Sequence, residues 1–89
     1  MKKIIREKKF RRDFKREFSG KHAEHLETTL RATVEALLAN SHLPGDHPMT
    51  GEWKDHRNVH LRPDLILLYR QTKEALYLVR LGSHSELGL

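Results

Sequence analysis

The 89-residue sequence contains no cysteine, which excludes disulfide staples, thiolate nucleophiles and thiolate metal centres. Small secreted domains of this size commonly need such staples, so the absence points to a cytoplasmic protein. No run of about 18 apolar residues is available for a membrane span, and the first residues are charged rather than forming the apolar core of a secretory signal. No membrane partner is therefore expected. HExxH, CxxC and paired-carboxylate motifs are missing as well, which sets aside the usual signatures of metal hydrolases and implies no cofactor. There are no internal repeats and no low-complexity tail. A chain this short holds one compact core, so residues 1–89 are read as a single domain.

What the sequence does have is positive charge and histidine. Seventeen Lys and Arg face twelve Asp and Glu, a formal net charge of +5 with an isoelectric point near 9.8. This balance suits a polyanion or an acidic protein as partner. The seven histidines are more informative, because imidazole is the side chain that gives or takes a proton near neutral pH.

Hydrophobic periodicity gives the order of elements. Lys2 to Arg6 reads as a short opening strand around Ile4 and Ile5. Phe10, Phe14 and Phe18 recur every four residues with Lys and Arg between them, the apolar stripe of a short helix that Gly20 can end, and all three are expected in the core. A second helix is predicted from about Lys21 to Asn40, with Ala23, Leu26, Leu30, Val34, Leu37 and Leu38 at helical spacing and no Pro or Gly inside. His22 and His25 lie one turn apart on it and are read as surface residues. Leu43 to Gly51 carries two prolines and two glycines and reads as a loop bearing His47.

From Trp53 the period changes to two. Lys54, His56, Asn58, His60 and Arg62 then share one strand face, opposed by Trp53, Val59 and Leu61. Pro63 interrupts the run and Leu65 to Tyr69 reads as a central strand. Gln71 to Glu74 supply a turn. Ala75 to Gly82 form the return strand, with Leu76, Leu78, Arg80 and Gly82 on one side and Tyr77, Val79 and Leu81 on the other. The predicted fold is α+β: a strand, two helices, then a three-stranded antiparallel meander, with the helices packed on one face of a small sheet. The second face, carrying the basic strand residues, is expected to be free for nucleic acid.

The meander can bring together His47, His60 with Asp64, Arg80, and His84. Cleaving RNA internally needs little else, because the neighbouring 2′-hydroxyl is the nucleophile. A base must take its proton, an acid must protonate the departing 5′-oxygen, and a cation must neutralise the phosphorane. Each proton-transfer group contributes roughly 10²- to 10⁴-fold. Two neighbouring imidazoles repel as cations, so one tends to stay neutral while the other keeps its proton. Arg80 offers a planar fork that suits phosphate oxygens. Metal chemistry fits less well: His56 and His60, four apart on a strand, would be separated by about 13 Å at ~3.3 Å per residue, too far to share one ion. Taken one at a time these residues also have ordinary readings, His47 as a solvated loop residue, Asp64 as a turn former, Arg80 as a residue that extends to solvent at a sheet edge.

The stretches Asp46 to Gly51, Trp53 to Asp64 and Leu78 to Leu87 resemble the YafQ branch of the RelE/ParE superfamily of toxins, and the element order matches along the whole chain. The resemblance implies a RelE-like fold and an mRNA interferase of a type II toxin–antitoxin system, which cuts messenger RNA in the ribosomal A site without a metal and leaves a 2′,3′-cyclic phosphate or 3′-phosphate with a 5′-hydroxyl. It implies a catalytic set of His47, His60, Asp64, Arg80 and His84, with His84 as general acid, His60 or Asp64 as base, and His47 binding or shuttling protons. Lys54, His56, Arg57, Asn58 and Arg62 are the expected RNA contacts. It also implies a cognate DinJ/RelB-like antitoxin whose C-terminal segment wraps the toxin, with operator DNA bound only through that complex. Two positions depart from the family pattern. Asn58 stands where members often carry an acidic residue, and Gly88 where they often carry an aromatic one. Asn cannot act as a base and Gly cannot stack on a nucleobase. Two further readings are a non-catalytic gyrase inhibitor of the ParE type, which shares the fold, and a degenerate toxin that binds RNA without cutting it.

Overall fold

A computed structural model describes residues 2–20, 23–40, 43 and 46–89. Its elements are β1 (Lys3–Arg6), α1 (Lys8–Phe18), α2 (Leu26–Leu38), β2 (His47–Pro48), a 3₁₀ turn (Gly51–Trp53), β3 (Arg57–Arg62), β4 (Leu65–Gln71), β5 (Ala75–Gly82) and α3 (His84–Leu87). The five strands form one sheet in the order β1-β5-β4-β3-β2. The meander β3-β4-β5 is antiparallel, and β1 returns to pair parallel with β5. The α+β order follows the periodicities of the sequence.

One side of the sheet carries the main core. Val59, Leu65, Leu67, Tyr69, Leu76, Leu78 and Leu81 pack with Phe10 of α1 and Leu26, Leu30, Val34 and Leu37 of α2. Burying each large aliphatic side chain contributes about 1.5–3 kcal/mol, so this layer fixes the helices to a single face. The opposite face is less bare than expected. Ile66 and Leu68 alternate away from Leu65, Leu67 and Tyr69 along β4, yet both are fully buried.

Several boundaries differ from the sequence reading. Phe10 is buried and Phe14 packs on the core, but Phe18, the last residue of α1, is 53% exposed and packs only on the Phe14 ring among the described aromatic rings. α2 starts at Leu26, with His25 outside it as the N-cap in a left-handed conformation. His22 lies outside the described residues. β3 starts at Arg57 rather than Trp53, which belongs to the 3₁₀ turn. Gln71 belongs to β4. The parity of β5 is broken by a register shift: Tyr69 pairs with Leu78, Leu68 with Arg80 and Leu67 with Leu81. The extra residue lets Leu76, Leu78 and Leu81 all reach the core and places Tyr77, Arg80 and Gly82 on the opposite side, a sorting that strict alternation cannot give.

β1 covers only the first half of β5, from Ala75 to Leu78. Beyond it, the polar side of α1 takes the place of a strand. Asp13 Oδ2 accepts the Leu81 N–H at 3.0 Å, and Arg16 Nη2 donates to the Leu81 carbonyl at 2.8 Å. Both peptide groups of an otherwise open strand edge are thus satisfied by helix side chains.

Candidate active site

Pairing register decides which side of the sheet each predicted site residue occupies. His47 of β2 lies opposite Asn58, Asn58 opposite Leu68, and Leu68 opposite Arg80; one step along, His60 lies opposite Ile66 and Ile66 opposite Gly82. Directly opposed residues project to the same face, as do residues two apart on one strand. His47, Asn58, His60 and Arg80 therefore share the face away from the helices. His84, at the start of α3, brings its ring to the same place: the His60 and His84 centroids are 5.7 Å apart, tilted by 44°.

His60 and His84 form the compact centre of the set. His60 is half-buried and His84 exposed, so one ring is held by the sheet while the other is open to solvent. α3 owes its position to a capping box in which Ser83 Oγ accepts from the Glu86 N–H at 3.1 Å and Glu86 Oε1 accepts from the Ser83 N–H at 2.9 Å. Gly88 closes the turn in a left-handed conformation at φ 71°. The departure from an aromatic at this position thus coincides with a backbone shape that glycine adopts without strain.

The other predicted residues are dispersed. His47 is exposed at the β2 edge with Nδ1 3.0 Å from the Pro48 carbonyl. It lies three strand spacings from Arg80, about 14 Å at ~4.8 Å per spacing. Asp64 sits in the β3–β4 turn and lines a cleft of about 400 Å³ with Arg16, Glu17, Ser83, Ser85 and Glu86, whereas His60 lines a separate groove of about 380 Å³ with Leu61, Arg62 and Pro63. Arg80 is not an open fork. Its Nε and Nη2 donate to Asp13 at 2.6 and 3.2 Å, and among the described residues Nη1 takes part in no hydrogen bond. Burial of Asp13 pushes its carboxyl up, but the hydrogen bonds from Arg80 and Leu81 and the charges of Arg80 and Arg16 outweigh this and hold it below the ordinary carboxylate value.

The expected RNA face also needs correction. Arg57 pairs with Tyr69 on the helix side of the sheet, where Arg57 Nε and the Tyr69 hydroxyl both donate to Asp46 Oδ1, at 3.0 and 2.7 Å. That triad anchors the chain next to His47. Burial and the Asp46 carboxylate push the Tyr69 hydroxyl up to about 12. Arg62 pairs with Leu65 across a register shift that skips Leu61, so it leaves the alternation and reaches the His60 groove from the strand end. Lys54 is exposed but lies off the strand, and His56 packs edge-on against Trp53 at 5.5 Å. Asn58 is 4% exposed, and its Oδ1 is buried with no hydrogen-bond partner among the described residues.

The sequence reading missed Asp13, Arg16, Glu17 and Glu86, which tie α1 to the end of β5 and to α3. A signal existed: Asp13 and Glu17 are the two acidic residues of a helix that is otherwise basic, spaced four apart beside the Phe stripe. Among the described residues, no three His, Asp or Glu side chains gather in a way that could hold a metal ion, and no helix is long and apolar enough to cross a membrane.

Comparison with known proteins gives consistent matches. Residues 2–88 match the family described as bacterial toxin of type II toxin-antitoxin system, YafQ. The mRNA interferase toxin YafQ of Escherichia coli K12 is 33% identical over 84 residues, covering 80% of this chain and 91% of the relative. The toxin in the crystal structure of the E. coli DinJ-YafQ complex superposes with a TM-score of 0.78 at 30% identity, covering 98% of each chain. A metal-bound toxin from Helicobacter pylori superposes with a TM-score of 0.80 at 40% identity, covering 98% of this chain and 99% of the other.

Proposed function

Since the chain belongs to the YafQ family of type II toxin–antitoxin toxins, we propose that it is an mRNA interferase, a ribosome-dependent endoribonuclease working by general acid–base catalysis. The observation that carries this reading is the His60–His84 pair, two imidazoles 5.7 Å apart on the sheet face away from the helices. One ring, or Asp64, takes the proton of the 2′-hydroxyl as it attacks the adjacent phosphorus. The P–O5′ bond then breaks, and His84, on the exposed side, gives its proton to the departing 5′-oxygen. The products are a 2′,3′-cyclic phosphate and a 5′-hydroxyl, with no redox change and no covalent enzyme intermediate.

Other residues bind and orient. Arg80 meets the phosphate through Nη1, its charge moderated by Asp13. His47 lies about 14 Å from Arg80 by strand spacing, so it contacts a flanking nucleotide rather than the scissile phosphate. Lys54 and Arg62, both exposed, contribute backbone charge, whereas Arg57 is engaged on the other side of the sheet. The partner that silences the toxin is a DinJ-type antitoxin, as in the E. coli complex, and operator DNA is reached only through it.

The test is induced expression followed by mapping of transcript 5′ ends, with cleavage assays on programmed ribosomes and on free RNA. New 5′-hydroxyl ends appear with wild type and fall by roughly 10²-fold or more with His84→Ala while ribosome affinity is kept. RNA with a 2′-deoxy nucleotide at the scissile position binds uncut, and stripping transition metals from the toxin, with the Mg²⁺ that ribosomes need kept constant, leaves the rate unchanged. Cleavage of the deoxy substrate refutes 2′-hydroxyl attack, loss of activity on stripping with recovery on adding the metal back refutes metal independence, and gyrase-linked DNA breaks in place of RNA ends move the chain to the ParE mode.

A further inference from the structure

α3 has one turn, too short to hold a fixed orientation through its own backbone, yet it carries His84. One ion pair, from Glu86 to Arg16, ties its side chains to α1, and bonds on either side of that pair hold it in place. Glu86 Oε1 accepts the Ser83 N–H within the capping box. Glu86 Oε2 meets Arg16 Nε of α1 at 3.2 Å. Arg16 is itself fixed, with Nη2 on the Leu81 carbonyl at 2.8 Å, Nη1 on Asp13 at 3.0 Å, and Nε also 3.0 Å from Glu17. A continuous path runs from the end of β5 through Arg16 and Glu86 to the residue before His84.

Gly82 makes room for that path. Its φ is not in the left-handed region, so backbone freedom is not the reason for glycine. A Cβ built there would lie 2.8 Å from Arg16 Nη2 and 3.2 Å from Glu86 Oε1. Any larger residue would press on the guanidinium and the carboxylate that face one another over this spot. The Glu86 carboxyl is held below the ordinary value, first by the Ser83 N–H and further by the nearby Arg16 charge, so it stays ionised at neutral pH.

We infer that Arg16 and Glu86 are positioning residues which, through the Ser83–Glu86 cap, set the distance of the His84 ring from His60. The inference rests on the proposed role of His84 for its kinetic consequence, but the ring position can be measured without activity. In this scheme their polar atoms are taken up by one another, by Ser83 and by the end of β5, so they hold His84 rather than transfer a proton. Their contribution is to remove the freedom of one short turn, and a misplacement of about 1 Å costs on the order of 10²-fold in rate.

The test uses Glu86→Gln, which keeps an acceptor for the capping box while removing the charge facing Arg16, alongside Gly82→Ala, which crowds the pair without changing an ionisable group. Glu86 is a surface residue, so its substitution leaves the fold intact. Both variants are expected to weaken the nuclear Overhauser contact between the His60 and His84 rings. Both are also expected to lower the single-turnover cleavage rate about 10-fold with little change in ribosome affinity, and to have no further effect in a His84→Ala background, because residues acting through one another are not additive. An unchanged ring contact overturns the inference, as does an equal rate loss with and without His84. If His84→Ala itself leaves cleavage intact, the acid assignment fails while the ring contact still decides the positioning role.

Discussion

Replacing Asp13 by Ala tests the main structural finding, that α1 side chains close the β5 edge. Asp13 is 3% exposed and accepts from Arg80 Nε at 2.6 Å, Arg80 Nη2 at 3.2 Å, the Leu81 N–H at 3.0 Å and Arg16 Nη1 at 3.0 Å. Removing one partner of a buried ion pair costs about 3–5 kcal/mol. Here the stranded guanidinium groups regain some water, since the Arg80 and Arg16 side chains are 20% and 42% exposed. The Leu81 N–H is left without its acceptor, about 1–3 kcal/mol by itself. The expected loss is therefore about 2–4 kcal/mol, or a drop in Tm of roughly 10–25 °C for a domain of this size. Urea melts should show a lower midpoint with unchanged slope. Asp13→Leu with Arg80→Met should recover about half the loss, because both charges then leave the site together. The native carboxyl lies below its unfolded value of 3.8, so its contribution is full above about pH 5 and is lost as pH falls through the lowered value. Asp13→Asn should flatten that acid limb. A loss below about 1 kcal/mol for Asp13→Ala would refute the role assigned to this carboxylate.

Three further outcomes follow from single groups. Tyr69 is raised from 10.0 to about 12, so the stability it contributes is full below pH 10 and declines as pH rises through 12; about 2–3 kcal/mol should disappear over that window in urea melts, and Tyr69→Phe should remove this part of the alkaline decline. Asn58→Leu replaces a buried amide whose Oδ1 is unpartnered, so thermal melts should shift by less than about 1 kcal/mol in either direction; a loss above about 2 kcal/mol would mean that the amide is bonded within the fold. Gly88→Ala at φ 71° should cost about 1 kcal/mol and Gly88→Asn less, since Asn tolerates the left-handed region; equal costs measured by denaturant midpoints would contradict that explanation.

The sequence alone determined the order of the longer elements, β1, α1, α2 and the β3-β4-β5 meander, and most of the main core, because periods of 3.6 and 2 report which residues must leave water; the two-residue β2 and the one-turn α3 are too short to show a period. It also carried the histidines and the motif strings of the family. Where chain ends and irregularities decide, periodicity misleads: Phe18 keeps the helical spacing but is exposed at the last position of α1, and Leu81 breaks alternation because one extra residue in β5 turns it inward. The site divided in the same way. His60 and His84, 24 positions apart in number, became neighbours only because β5 returns beside β4 and α3 folds back at its end. Arg80 and Arg57 both looked like open cations until the fold placed Asp13 and Asp46 against them. The acidic pair of α1 and the Ser83–Glu86 spacing stand in the sequence, but pairing between groups far apart along the chain follows from the three-dimensional proximity that sheet register and helix docking create, and that is why the joining of Asp13, Arg16 and Glu86 into one framework was decided by the tertiary structure.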